Sequence, residues 1–107
     1  MTIERRAENR HIIPSLWATV GSTANKYDVC DIGRANARLR DVPDGVAKGD
    51  MIAFTFYLTL LDGRAMAVPV RGTVTRVEDR EMAITYDPPG RSWRRILETL
   101  AARPAFA

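Results

Sequence analysis

Along the chain, apolar residues first recur at every second position. Leu16, Ala18 and Val20 alternate with Trp17 and Thr19, which predicts a strand over 15–20. Gly21-Ser22-Thr23-Ala24-Asn25 is turn chemistry, and Tyr27 to Ile32 is a second run of β-formers. After Gly33-Arg34, Ala35, Ala37 and Leu39 alternate with Asn36, Arg38 and Arg40, a third short strand with a basic outer face. Residues 41–50 hold Pro43, Gly45 and Gly49 and read as a loop. The clearest element is the fourth strand, with Ile52, Phe54, Phe56, Leu58 and Leu60 on one face. Asp62-Gly63 then predicts a two-residue hairpin turn with positive φ at both positions. Met66, Val68, Val70 and Val74 form the inward row of a fifth strand. Gly72 falls in that row and suggests a bulge or a barrel corner. Glu78-Asp79-Arg80 turns the chain into a sixth strand carrying Met82, Ile84 and Tyr86.

The period changes after Pro88-Pro89-Gly90. Trp93, Ile96, Leu97 and Leu100 follow at helical spacing, so a helix is predicted over about 91–102, ended by Pro104. Arg94 and Glu98 are spaced to pair on its wet side. The fold class is mainly β: a six-stranded antiparallel barrel, closed or split, with a C-terminal α-helix. Residues 14–107 form that domain, and residues 1–13 read as a flexible, charged N-terminal arm.

A length of 107 residues allows one core, and 46% hydrophobic with 27% charged residues fits a globular chain. The single cysteine, Cys30, excludes an intrachain disulfide and reads as a small buried side chain. The single histidine, His11, reads as a surface spectator. No metal site and no cofactor are expected. The N-terminus carries no apolar run of the export type, and the longest apolar stretch, Met51 to Leu61, is too short for a helical span. A cytoplasmic location with no membrane segment is therefore expected.

The net charge is +3, and fourteen of the sixteen basic residues are arginine. Genome base composition accounts for such a skew, as does recognition of anions or bases. Enzyme signatures are missing: there is no Gly-x-Ser-x-Gly elbow, no Cys/His dyad with an orienting partner and no Gly-rich phosphate loop before a helix. No catalysis is expected. Nucleic-acid binding is also disfavoured. Of eight aromatics, only Trp17 and Tyr57 are strand residues pointing away from the core rows, too few for a stacking platform.

The arm holds Arg6-Ala7-Glu8-Asn9-Arg10, two guanidinium groups four residues apart, with Arg5 beside them. Such a pair makes a fork for a phosphate or a guanine edge. It is followed by a strand, a second strand ending in Asp31-Ile32-Gly33-Arg34-Ala35-Asn36, further hairpins and a terminal helix. This order resembles the PilZ domain family over about residues 4–102. The resemblance implies a six-stranded barrel whose Arg-x-x-x-Arg and Asp/Asn-x-Ser/Ala-x-x-Gly motifs bind the second messenger cyclic di-GMP. It implies ligand-binding roles for Arg5, Arg6, Arg10, Asp31, Gly33 and Asn36, with Arg6 and Arg10 on phosphates and guanine edges and Asp31 accepting from a guanine N–H group. Arg34 and Arg38 are additional ligand-facing candidates. Gly33 stands where the family has Ser or Ala, and Asn36 where it has Gly. Asn tolerates the left-handed backbone such a turn is expected to need. The resemblance also implies that ligand orders the arm on the barrel. The changed surface then acts on a protein partner or attached domain in motility, polysaccharide synthesis or secretion. The alternative is a degenerate PilZ-like protein–protein interaction module that binds no nucleotide.

Overall fold

The structure, a computed structural model, describes residues 11–13, 16–21, 25–42 and 45–101. Six strands and one helix follow in chain order: β1 (Trp17–Val20), β2 (Tyr27–Ile32), β3 (Asn36–Arg40), β4 (Met51–Thr59), β5 (Ala65–Glu78), β6 (Glu81–Tyr86) and α1 (Trp93–Ala101). All pairings are antiparallel, and the strands close into a barrel in the order β1-β2-β3-β6-β5-β4, with β4 returning to β1. The mainly β, six-stranded barrel with a C-terminal helix is what the alternating rows dictate. The predicted end of the helix at Pro104 lies outside the described residues.

The inward rows meet as one core. Ala18, Ile32, Ala37, Leu39, Phe54, Phe56, Val74, Met82 and Ile84 are essentially sealed from water, and among the described residues no polar or charged residue is buried with them. Helix α1 closes one end of the barrel with Trp93, Leu97 and Leu100, the buried members of its apolar stripe. Trp93 lies 6.2 Å from the Phe56 ring, and Phe56 meets Tyr86 edge to face at 5.3 Å. Among the described residues, no helix is long and apolar enough to cross a membrane.

Three local expectations are corrected. Gly72 is not a bulge. It pairs in register with both Ile52 and Tyr86, at the point where the fourteen-residue β5 passes from β4 to β6. A Cβ there would sit 2.8 Å from the Phe54 ring and 3.1 Å from the Thr85 carbonyl oxygen, so the missing side chain makes room for Phe54. The bulge of β5 falls later, between Val74 and Arg76.

Asp62-Gly63 does not form a two-residue turn. Leu60 and Arg64 close a three-residue loop in which Gly63 alone has positive φ, at 89°. The paired positive angles occur instead at Asp79 (51°) and Arg80 (66°), between the paired residues Glu78 and Glu81.

Cys30 is not fully buried. It is the extra residue of a register shift in β2 between Val29 and Asp31, so it has no cross-strand partner holding it on the inner row.

Candidate functional site

That bulge in β2 organises the candidate site. Tyr27 and Val29 point inward, and strict alternation would send Asp31 inward after them. The extra residue at Cys30 shifts the phase by one, so Ile32 is fully buried and Asp31 turns to the outer wall. There its carboxylate lies 2.9 Å from the Arg38 guanidinium of the facing strand. Arg38 also reaches Glu81 at 3.6 Å. Arg38 is thus occupied by carboxylates on both sides.

The hairpin after Asp31 is tight. Gly33 N–H donates to the Asn36 carbonyl at 2.7 Å, leaving Arg34 and Ala35 at the tip. Asn36 opens β3 in register with Thr85, and neither it nor Gly33 has positive φ. The turn therefore requires no left-handed residue at 36, contrary to the expectation for Asn there. The Asn36 Oδ1 atom and the Arg38 Nε atom are buried, and among the described residues neither has a hydrogen-bond partner.

Tyr86 holds this hairpin from behind at two points. Its backbone N–H donates to the Ala35 carbonyl at 2.9 Å, and its hydroxyl donates to the Gly33 carbonyl at 2.5 Å. The Trp93 indole N–H in turn donates to the Tyr86 hydroxyl oxygen at 2.8 Å. A buried chain of donors thus runs from helix α1 through β6 to the hairpin. Burial pushes the Tyr86 hydroxyl well above the ordinary tyrosine range, against the opposing pull of the Trp93 N–H. The row of alternating residues predicted only a core position for Tyr86 and Trp93. Their polar ends are the available signal, because buried Tyr and Trp need hydrogen-bond partners.

The segment that leads into the barrel reaches the same place. His11 and Ile32 exchange backbone hydrogen bonds, N–H of His11 to the Ile32 carbonyl at 2.8 Å and N–H of Ile32 to the His11 carbonyl at 2.9 Å. Two residues on, Ile13 is buried in the core. Arg5, Arg6 and Arg10 lie outside the described residues.

A cleft of about 280 Å³ opens between this hairpin and helix α1, lined by His11, Arg34, Ala35, Asn36, Arg94, Leu97 and Glu98. The structure therefore brings Arg34 and Asn36 together with His11, which sequence reasoning set aside as a spectator. Arg38 is not in this group; it lines a separate cleft with Arg76, Glu78 and Glu81. Among the described residues, no cluster of three or more His, Cys, Asp or Glu side chains is gathered for a metal ion.

The outer face of the β1–β4 seam is different. Trp17 and Tyr57 stack across β1 and β4 with ring centroids 4.0 Å apart and planes 12° from parallel, and the Lys26 ammonium sits 4.6 Å from the Trp17 ring centre. One face of Trp17 is therefore taken by Tyr57, and the exposed Lys26 ammonium lies over the ring.

No family model matches the chain, and no curated protein matches it.

Proposed function

We propose that this chain is a cyclic di-GMP receptor domain with no catalysis of its own. The observation that carries the reading is the pairing of His11 with Ile32. It fixes the residue next to Arg10 beside the hairpin that bears Asp31, Gly33, Arg34 and Asn36. The two arginines of the arm and the second motif, far apart along the chain, then act on one ligand. Arg6 and Arg10 grip phosphates and guanine edges, each charge-assisted bond contributing roughly 1.5–3 kcal/mol. Arg34 adds positive charge at the hairpin tip, which suits a dianionic ligand. Binding draws the arm onto the outer wall and alters the surface offered to a protein partner or attached domain.

Isothermal titration tests the assignment on the arm. With Arg6→Ala and Arg10→Ala combined, cyclic di-GMP binding is expected to disappear. An unchanged affinity in the double variant overturns it.

A second reading, a degenerate module that binds protein alone, is favoured by one feature. Asp31 is already held by Arg38 at 2.9 Å, and Asn36 stands where the family has glycine. Under this reading the wild-type chain is silent toward the dinucleotide, and Gly33→Ser with Asn36→Gly restores binding.

A further inference from the structure

The cleft beside the hairpin has a wall that neither motif supplies. Helix α1 lines it with Arg94 and Glu98, facing Arg34 and Asn36. The helix is tied to the hairpin by one buried chain of hydrogen bonds. Trp93, the residue before Arg94, is 2% exposed and tied through Tyr86 to the Gly33 carbonyl. Arg94 thus starts from a rigid support, whereas its own side chain is 72% exposed and free to reach a ligand.

The bonding of Arg94 is incomplete in a particular way. Its Nε donates to Glu98 Oε2 at 3.1 Å. Among the described residues, its two terminal nitrogens have no partner. The free end of a guanidinium is the edge that grips a phosphate or carboxylate with two parallel hydrogen bonds. Across the cleft, the Arg34 side chain has no ion pair or hydrogen bond to any described residue. Two open guanidinium groups on facing walls, with one carboxylate steadying the second, suit an anion with several acceptor oxygens.

We propose that helix α1 is the wall of the ligand site that faces the hairpin, and that Arg94 is a ligand-binding residue that takes a phosphate group of the bound dinucleotide. Glu98 orients its guanidinium through Nε and lowers the affinity by its own negative charge. This rests on the receptor reading above. It gives the helix a direct part in sensing: an anion on Arg94 loads the element that Trp93 and Tyr86 connect to the hairpin.

The test is isothermal titration of cyclic di-GMP, at low salt, into the full chain and three variants. Arg94→Gln is expected to weaken binding roughly tenfold. Glu98→Gln is expected to tighten it about two- to fivefold, the size of an exposed charge pair. Arg95→Gln removes the same charge from the same helix, but Arg95 lines a different, apolar groove with Leu60, Ile96 and Leu100. It is expected to change affinity less than about twofold. All three side chains are exposed, so each variant folds. A wild-type isotherm with Arg94→Gln and Arg95→Gln behaving alike overturns this assignment alone. A flat wild-type trace overturns the receptor reading and this assignment with it.

Discussion

Two glycines on neighbouring parts of the barrel are held in opposite ways. Gly72 sits in an apolar seam, where the Phe54 ring occupies the space a side chain would need. Gly33 sits in the candidate hairpin, where its carbonyl is gripped by the Tyr86 hydroxyl and, behind that, by the Trp93 indole. Tyr86 is the register partner of Gly72 as well, so the two regions share one residue. The comparison separates two kinds of rigidity. The seam depends on volume, since the Phe54 ring that fills the space at Gly72 does not titrate. The hairpin depends on a buried line of hydrogen bonds that ends on a phenol, and that line is also the route from the candidate site to helix α1.

The largest expected effect removes the anchor of that line. Trp93→Ala deletes both a fully buried ring and the donor to Tyr86, and a loss of about 3–5 kcal/mol in urea unfolding is expected. A loss under 1 kcal/mol would show that the helix is not part of the cooperative core. Gly72→Ala comes next, at about 1–3 kcal/mol, because the new methyl group must push the Phe54 ring or the β6 backbone aside. Its cost is expected to be the same at pH 7 and at pH 10.5, because the atoms the new methyl group meets, the Phe54 ring and the Thr85 carbonyl, do not ionise.

Tyr86→Phe probes the other kind of rigidity. It keeps the ring but strands the Gly33 carbonyl and the Trp93 N–H in the interior, at an expected cost of about 1–2 kcal/mol near neutral pH. The pH dependence has a definite sign. Burial raises the hydroxyl above its unfolded value of about 10, so the folded chain holds the phenolic proton more tightly than the unfolded chain. The contribution is complete below about pH 10 and is lost as the pH rises beyond it. Melting curves from pH 8 to 11.5 should therefore show wild type losing stability faster than Tyr86→Phe, so that the gap between them narrows. A gap that stays constant would mean that Tyr86 does not titrate with folding.

The smallest effect has the opposite direction. Arg80 holds a φ of 66° in the β5–β6 turn, which costs an L-residue energy that glycine does not incur. Arg80→Gly is expected to stabilise the chain by about 0.5 kcal/mol, the relieved strain exceeding the added freedom of the unfolded state.

The barrel was largely legible in the sequence because each long strand has one wet and one buried face. Phe54, Phe56 and Leu58 on β4 and Val68, Val70 and Val74 on β5 declare the core by position alone. What depends on a partner strand was not legible. The shift at Cys30 exists only relative to β3, yet it decides that Asp31 faces outward. Gly72 was legible as a bulge or a barrel corner; the register excludes the bulge, and the reason for the missing side chain, the Phe54 ring from the neighbouring strand, required the fold. Asp62-Gly63 carries the residue types of a two-residue turn, but hydrogen bonding between Leu60 and Arg64 selects a longer one. At the site, Asn36 was legible as a motif position and Arg34 as an additional ligand-facing candidate beside it. The placement of His11 against Ile32, and of Arg94 across the cleft from Arg34, required the fold. Arg38 was legible as an additional ligand-facing candidate, but its pairing with Asp31 and Glu81 required the fold.

The central claim is our proposal that the hairpin, the cleft between it and helix α1, and Arg6 and Arg10 of the arm act together as a receptor for cyclic di-GMP. It is tested most directly by isothermal titration of the dinucleotide into the wild-type chain. The account predicts a saturable isotherm with a dissociation constant in the micromolar range or tighter, and its stoichiometry counts the ligands bound. A flat trace at high ligand concentration would contradict it and leave the barrel as a scaffold for protein partners.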